Sequence, residues 1–256
     1  MMALRAAFSL LLPLILVALW FCLSNTKGAD ISYIVNPLAA WQKIVLLHEE
    51  LIENTILSLE RLAVGVVVGS VLGIIAGIML GRRPWLRRFF GPTLNVLTAI
   101  PIIVLIPFFF LVFGFGELFR ISVVAAIVFL LVYQAVFSSV FSFPRRWLEL
   151  AAHREKSEWQ IIWQMLLPSV LPEIMRAIRL SLLFGWLAIA LAEKAVAVWP
   201  RGGLGYQILR AKEQGLYEEL FAAVIVLGTI AWLLDVVFGG IVHAVSYWRE
   251  ESGRIR

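Results

Sequence analysis

Four places in this sequence gather side chains that could do chemistry. His48, Glu49, Glu50 and Glu53 crowd one stretch with the carboxylate–imidazole mix of a metal site. Residues 149–160, ELAAHREKSEWQ, set charged and titratable groups between two greasy runs, while Glu193-Lys194 and Asp235 stand inside apolar segments. A metal or hydrolytic centre needs convergent ligands, and convergence is missing. His48, His153 and His243 are scattered, the aspartates are Asp30 and Asp235 alone, and H-E-x-x-H does not occur. His48 and its glutamates therefore read as a solvated helix face. Cys22 is the single cysteine, which excludes an intrachain disulfide and a cysteine metal site and leaves a small apolar filler. No G-x-x-x-x-G-K-[ST] occurs, so the chain has no phosphate loop for ATP. The expectation is no catalytic residue, no metal and no cofactor held by this chain.

The elements that position these groups follow from composition. Hydrophobic residues make up 61% of the chain, charged residues 15%, and mean hydropathy is +0.91, which excludes a soluble domain. Crossing a hydrocarbon core of roughly 30 Å takes about 20 apolar residues. Six runs qualify, at 6–23, 58–80, 93–115, 119–142, 175–198 and 220–246, predicting an all-α polytopic membrane protein. Lys and Arg gather in 1–5, 81–92, 143–174 and the tail from 247, which places both termini and ELAAHREKSEWQ in the cytoplasm. The net charge of +5 is thus a matter of topology, and nucleic acid is not a partner. The first run is too long for the core of a signal peptide and has no A-x-A site after it, so it is expected to be a retained span.

Three units follow: 1–57, with the first span and an outer segment; 58–246, with a cytoplasmic segment at 145–167; and a tail, 247–256. In the first, Asn36-Pro37 breaks the chain and 38–57 reads as an amphipathic helix leading into the second span. That span carries Gly65, Gly69, Gly73, Gly77 and Gly81 on one face. Small residues at this spacing let helices approach closely in lipid, either as a sliding seam or as static packing within a subunit. GRRPWLRRFFGP at 81–92 reads as a short basic connector.

In the cytoplasmic segment one helix begins after Pro144, with Trp147, Leu150 and Ala151 on one face. A second is N-capped by Ser157, carries Trp159, Ile162, Trp163 and Leu166 on its apolar face, and is stopped or bent by Pro168 and Pro172. A connector between spans needs only a few residues. Two aromatic-bearing helices fit either a knob for a cytoplasmic partner or a pair lying on the bilayer.

The order Glu149, Ala151, Trp159, Gln160, Leu167-Pro168 and Leu171-Pro172, then Arg179-Leu180, Trp186 and Glu193, resembles the EAA loop of binding-protein-dependent ABC importer permeases. The likeness is to the branch handling sulfonates, taurine and nitrate. AIPIIVLIPFFFLVFGFGE at 99–117, GGLGYQI at 202–208 and the run 58–93 follow in the family's order, so the resemblance covers about 45–245. It implies a type I ABC importer permease fold in a bacterial inner membrane. It also implies a second permease subunit, two cytoplasmic ATP-binding subunits that hold ATP and magnesium, and an extracytoplasmic solute-binding protein. Glu149, Ala151, Glu155, Ser157, Trp159, Gln160 and Pro168 would then form the ATPase-coupling element. Glu193, Trp186, Gly203 and Tyr206 would lie near the path or its outer gate, with Pro101 and Pro107 breaking the third span beside it.

Glu155 stands where the family usually has glycine, and Leu150 replaces the motif's first alanine. Either the turn is built differently, or 145–167 is one bent helix. Two rival classes are an ion-coupled carrier, which lacks the expected internal repeats here, and a diverged structural or regulatory subunit of an ABC complex. Lys194 reads as snorkelling outward, and with Arg201 it slightly favours an anionic solute.

Overall fold

The computed structural model describes residues 12, 15–25, 34–195 and 202–253. Helices make up the architecture: α1 (Ile15–Ser24), α2 (Pro37–Leu46), α3 (His48–Arg82), α4 (Pro84–Ala99), α5 (Ile102–Phe113), α6 (Glu117–Phe141), α7 (Arg145–His153), α8 (Glu158–Ile161), α9 (Leu167–Ala195), α10 (Leu204–Glu213) and α11 (Tyr217–Gly253). A π turn, Ile162–Leu166, joins α8 to α9.

Four spans are long and apolar enough to cross a membrane by themselves: α3, α6, α8–α9 and α11. They correspond to the predicted second, fourth, fifth and sixth runs. Part of the first run lies outside the described residues; its described part is α1. The third run, 93–115, falls largely within the bent pair α4–α5, whose axes turn through 115°, a break at Pro101 where one was expected. The cause is local: Pro101 forces Ile100 into an extended conformation, φ −82° and ψ 124°, and that ends α4. The basic connector is corrected, because Arg87 and Arg88 lie on α4, which Pro84 starts at its first position.

Punctuation fixes the remaining boundaries. Asn36 caps α2, its side chain accepting from the Leu38 N–H at 2.9 Å. The predicted continuous helix over 38–57 breaks at Leu47, and α3 starts afresh at His48. Pro168 and Pro172 do not stop the helix. The wider π turn just before them, in which the Leu167 N–H bonds to the Ile162 carbonyl, absorbs the mismatch, and the span runs on to Ala195.

The core is a seam between α3 and α6. A Cβ placed on Gly65, Gly69, Gly73, Gly77 or Gly81 would come within 2.5–2.9 Å of α6. The facing side chains are themselves a ladder: Val124, Val128, Val132, Val136 and Val140, all buried. Both numberings rise together, so α3 and α6 run parallel, with α4–α5 returning between them. The seam lies inside one subunit. Lipid supplies no hydrophobic drive, so this contact rests on dispersion at close approach. Leu62, Val170, Ile174, Trp186, Ile189 and Leu204 extend the core onto α9 and α10.

Candidate functional site

Continuing the seam one turn past Gly65 and Val124 brings in Arg61 and Arg120, and the packing turns from apolar to ionic. Arg61, 5% exposed, donates from Nη1 to Glu193 Oε1 at 2.6 Å and to the Gly202 carbonyl at 2.9 Å. Its other edge, Nε and Nη2, grips Glu117 at 2.6 and 2.8 Å. Arg120, wholly buried, donates to Glu117 Oε1 at 3.1 Å. Two guanidiniums thus face two carboxylates, drawn from α3, α6 and α9. A buried charge without a partner is costly, and here the four balance.

Glu193 is the most enclosed member, with no solvent exposure. Ser58 Oγ lies 2.9 Å from both of its oxygens, and the Gly205 N–H donates to Oε2 at 3.0 Å. The loop before α10 wraps this carboxylate. Gly203 N–H donates to Asn54 Oδ1 at 2.7 Å, Leu204 N–H to Ser58 Oγ at 3.0 Å, and Asn54 Nδ2 to Gln207 Oε1 at 3.2 Å. Gly202 and Gly203 have φ of 119° and 104°, open to glycine and strained for other residues. A Cβ on Gly205 would stand 2.1 Å from the Ala190 carbonyl oxygen. The glycines of GGLG are therefore required by the buried carboxylate and by the close approach of α9.

Beside this cluster, Tyr206 lines an open cleft of about 560 Å³ with Glu50, Glu53, Asn54 and Arg210. Arg210 bridges Glu50 at 2.8 Å and Glu219. Burial pulls its pKa down, but these two carboxylates hold it above its ordinary value. Glu50 is thus engaged by an arginine, and His48 Nδ1 lies 2.9 Å from the Val45 carbonyl.

The other polar end is the segment 145–161. From Arg61 to Arg82, α3 rises about 32 Å, which is the thickness of a hydrocarbon core. At that far end Arg82 and Arg83 reach Glu158 at 3.4 and 4.0 Å. Two short helices, α7 and α8, are joined by a turn, so 145–167 is not one bent helix. The Lys156 N–H bonds back to the Ala151 carbonyl at 3.2 Å, closing a Schellman turn with Glu155 in the left-handed region at φ 54°. Glu155 is the only non-glycine with positive φ among the described residues. The same closure ends α10, where Leu216 N–H bonds to Ala211 and Gly215 takes φ 70°.

Ser157 caps α8 as expected, in a capping box with Gln160: its Oγ accepts the Gln160 N–H, and Gln160 Oε1 accepts the Ser157 N–H. Glu149, Glu155, Ser157, Gln160 and Pro168 are all exposed, while Ala151 is buried against the bundle. The expected apolar faces are divided between the bundle and the outside. Ile161 and Leu166 turn inward, while Trp147, Leu150, Trp159 and Trp163 are 47–67% exposed.

Of the other predicted residues, Trp186 is buried on α9 and donates from Nε1 to the Leu227 carbonyl at 2.9 Å, tying α9 to α11. Pro101 and Pro107 are exposed at and beyond the α4–α5 bend, while Ile106 beside them packs with Ala188 and Ala192 of α9. Asp235 pairs bidentately with Arg179 at 2.8 and 2.9 Å. Lys194 is half-buried, and Arg201 lies outside the described residues. Sequence reasoning missed Arg61, Ser58, Asn54, Glu117 and Arg120. The available signal was the rule that a carboxylate inside a span needs a cation at its own depth.

The profile of the family described as "Binding-protein-dependent transport system inner membrane component" matches residues 69–248. A Bacillus subtilis permease named for aliphatic sulfonates is 28% identical over 94% of this chain and 87% of its own length. The taurine transport system permease protein of Escherichia coli is 23% identical over 93% of this chain and 88% of its own. The nitrate import permease protein of Synechococcus elongatus is 26% identical, covering 91% and 87%. Among solved structures, an inward-facing form of the MetNI methionine ABC transporter superposes with a TM-score of 0.65 at 22% identity, covering 80% of this chain and 98% of that one. This last likeness concerns the fold.

Proposed function

The chain belongs to the family of binding-protein-dependent transport system inner membrane components, and from that premise we propose that it forms half of the path for a small anionic solute, driven through the segment 149–167 by a cytoplasmic ATPase. As an ABC importer permease subunit of the type I fold, it is a multi-pass membrane protein, and on this reading ATP is hydrolysed by its partners. The finer reading assigns both termini to the cytoplasm. It supplies a second permease subunit, two ATP-binding subunits holding ATP and magnesium, and an extracytoplasmic binding protein as partners. Small anions are favoured by the relatives named for sulfonates, taurine and nitrate.

The observation that carries the coupling is the Trp147, Leu150, Trp159, Trp163 patch on α7–α8. Exposed aromatics flanking a capped turn, with α8 meeting α3 at Arg82–Glu158, form a knob, and a knob of this composition suits a hydrophobic groove. Movement of such a knob would be passed as a rigid-body shift along the α3–α6 seam. Residues Glu193, Gly203, Trp186 and Tyr206 belong, on this reading, to the outer closure, with Pro101 and Pro107 at the bend beside it.

A cysteine crosslink tests it. With Cys22 removed, Ser157→Cys should crosslink to the groove of the partner ATPase, with a yield that changes when ATP is added. The complex in liposomes should accumulate solute only with ATP and binding protein. An assembled complex that gives no crosslink at any groove position would overturn the coupling assignment.

A further inference from the structure

We propose that Arg61 and Arg120 form an anion site whose occupant in this conformation is the chain's own Glu117 carboxylate, and that a small oxyanion takes its place when Glu117 swings away. This deepens the permease reading, on which it rests for the anion's passage across the membrane. The two carboxylates that share Arg61 are held very differently. Glu193 is sealed by Ser58, Gly205 N–H and the loop at Gly203, and it cannot move without breaking that loop. Glu117 is 45% exposed, whereas its partners Arg61 and Arg120 are 5% and 0% exposed.

Glu117 is also the first residue of α6, behind Gly114 and Gly116. Gly114 has φ 68°, and a Cβ on either glycine would meet nothing within 4 Å. With Phe119 and Arg120 buried, the helix start stays in place, but the Glu117 side chain, nearly half exposed, can rotate outward about its own bonds. When it does, Arg61 stays in place, because its Nη1 remains bound to Glu193 and the Gly202 carbonyl. What opens is the Nε–Nη2 edge, a fork whose two parallel N–H groups fit two oxygens on one centre. With the Glu117 carboxylate gone, Arg61 and Arg120 have one negative charge fewer beside them, which calls for a monovalent anion in its place. A sulfonate, carboxylate or nitrate satisfies both demands; a halide satisfies the charge but not the fork.

Calorimetric titration of the full chain in lipid nanodiscs with sodium methanesulfonate tests this. Wild type should bind weakly, because Glu117 competes. Glu117→Gln removes the competing charge and should bind about tenfold more tightly or better. Adding Arg61→Met should abolish the gain. Arg61→Lys in the Glu117→Gln background keeps the charge, guards against a folding defect, and should lose most of the gain with the fork. Chloride at equal ionic strength should not displace methanesulfonate. Equal binding by wild type and Glu117→Gln, retained binding without Arg61, or displacement by chloride would each overturn the site. The titration uses neither ATP nor partner subunits, so its failure is distinct from a failure of ATP-driven uptake.

Discussion

Glu193 and Gly203 stand so close that no side chain fits between them: a Cβ on Gly203 would lie 2.2 Å from the carboxylate carbon. Gly203 also has φ 104°, so alanine there meets steric overlap and backbone strain together. Gly203→Ala should expel the loop from the carboxylate and orphan the hydrogen bonds to Asn54 and Ser58. The expected loss is about 3 kcal/mol or more of stability, by analogy with breaking a buried ion cluster. Thermal unfolding in detergent would measure it. A variant that melts like wild type would show that the loop is not seated on Glu193.

The α3–α6 seam gives a graded prediction. At Gly69 the intruding Cβ meets the backbone carbonyl of Ala125 at 2.5 Å, which no rotamer change can relieve. At Gly81 it meets the Val140 side chain at 2.7 Å, at the end of the seam. Gly69→Ala should therefore cost about 2–3 kcal/mol, at the upper end for overpacking, and Gly81→Ala clearly less. Equal losses at the two sites would show that the backbone contact at Gly69 is no tighter than the side-chain contact at Gly81.

Half of this seam was legible beforehand. Glycines every fourth residue stand out, whereas the valines facing them share the same period but are ordinary residues in a lipid-embedded helix. Glu193 stood out as a charge in a greasy run, yet its partner Arg61 is 132 positions away and sits near a span boundary, where a cation needs no explanation. The requirement for glycine at 203 and 205 comes from Glu193 and from the Ala190 carbonyl, which only the fold brings to the loop. Pro168 was legible as a breaker, but the π turn that accommodates it depends on a wider hydrogen bond that carries no composition signal. Trp159 and Trp163 were legible as part of an apolar face, but their exposure depends on Ile161 and Leu166 taking the inward side, which composition does not indicate.

Arg179 and Asp235 join α9 to α11 by a bidentate pair. Both side chains are partly exposed on membrane-crossing helices, so removing one partner leaves an unpaired charge within a span, whereas removing both restores neutrality. Arg179→Met alone should lower the melting temperature markedly. The double variant Arg179→Met, Asp235→Leu should recover most of the loss. Additive losses in the double variant would show that the two side chains do not interact.

Glu155 gives the prediction with the opposite sign. A residue with a Cβ at φ 54° is strained by roughly 1–2 kcal/mol, and glycine is free of that strain. Glycine gives part of this back through the greater freedom of its unfolded chain. Glu155→Gly should therefore stabilise the turn by about 0.5–1 kcal/mol net, read as slower amide exchange over 150–157. Glu155→Val should do the reverse, because a branched side chain tolerates the left-handed region least. If Glu155→Gly leaves exchange unchanged or speeds it, the turn is not held by the Lys156–Ala151 closure, and the geometry of the knob on α7–α8 must be set elsewhere.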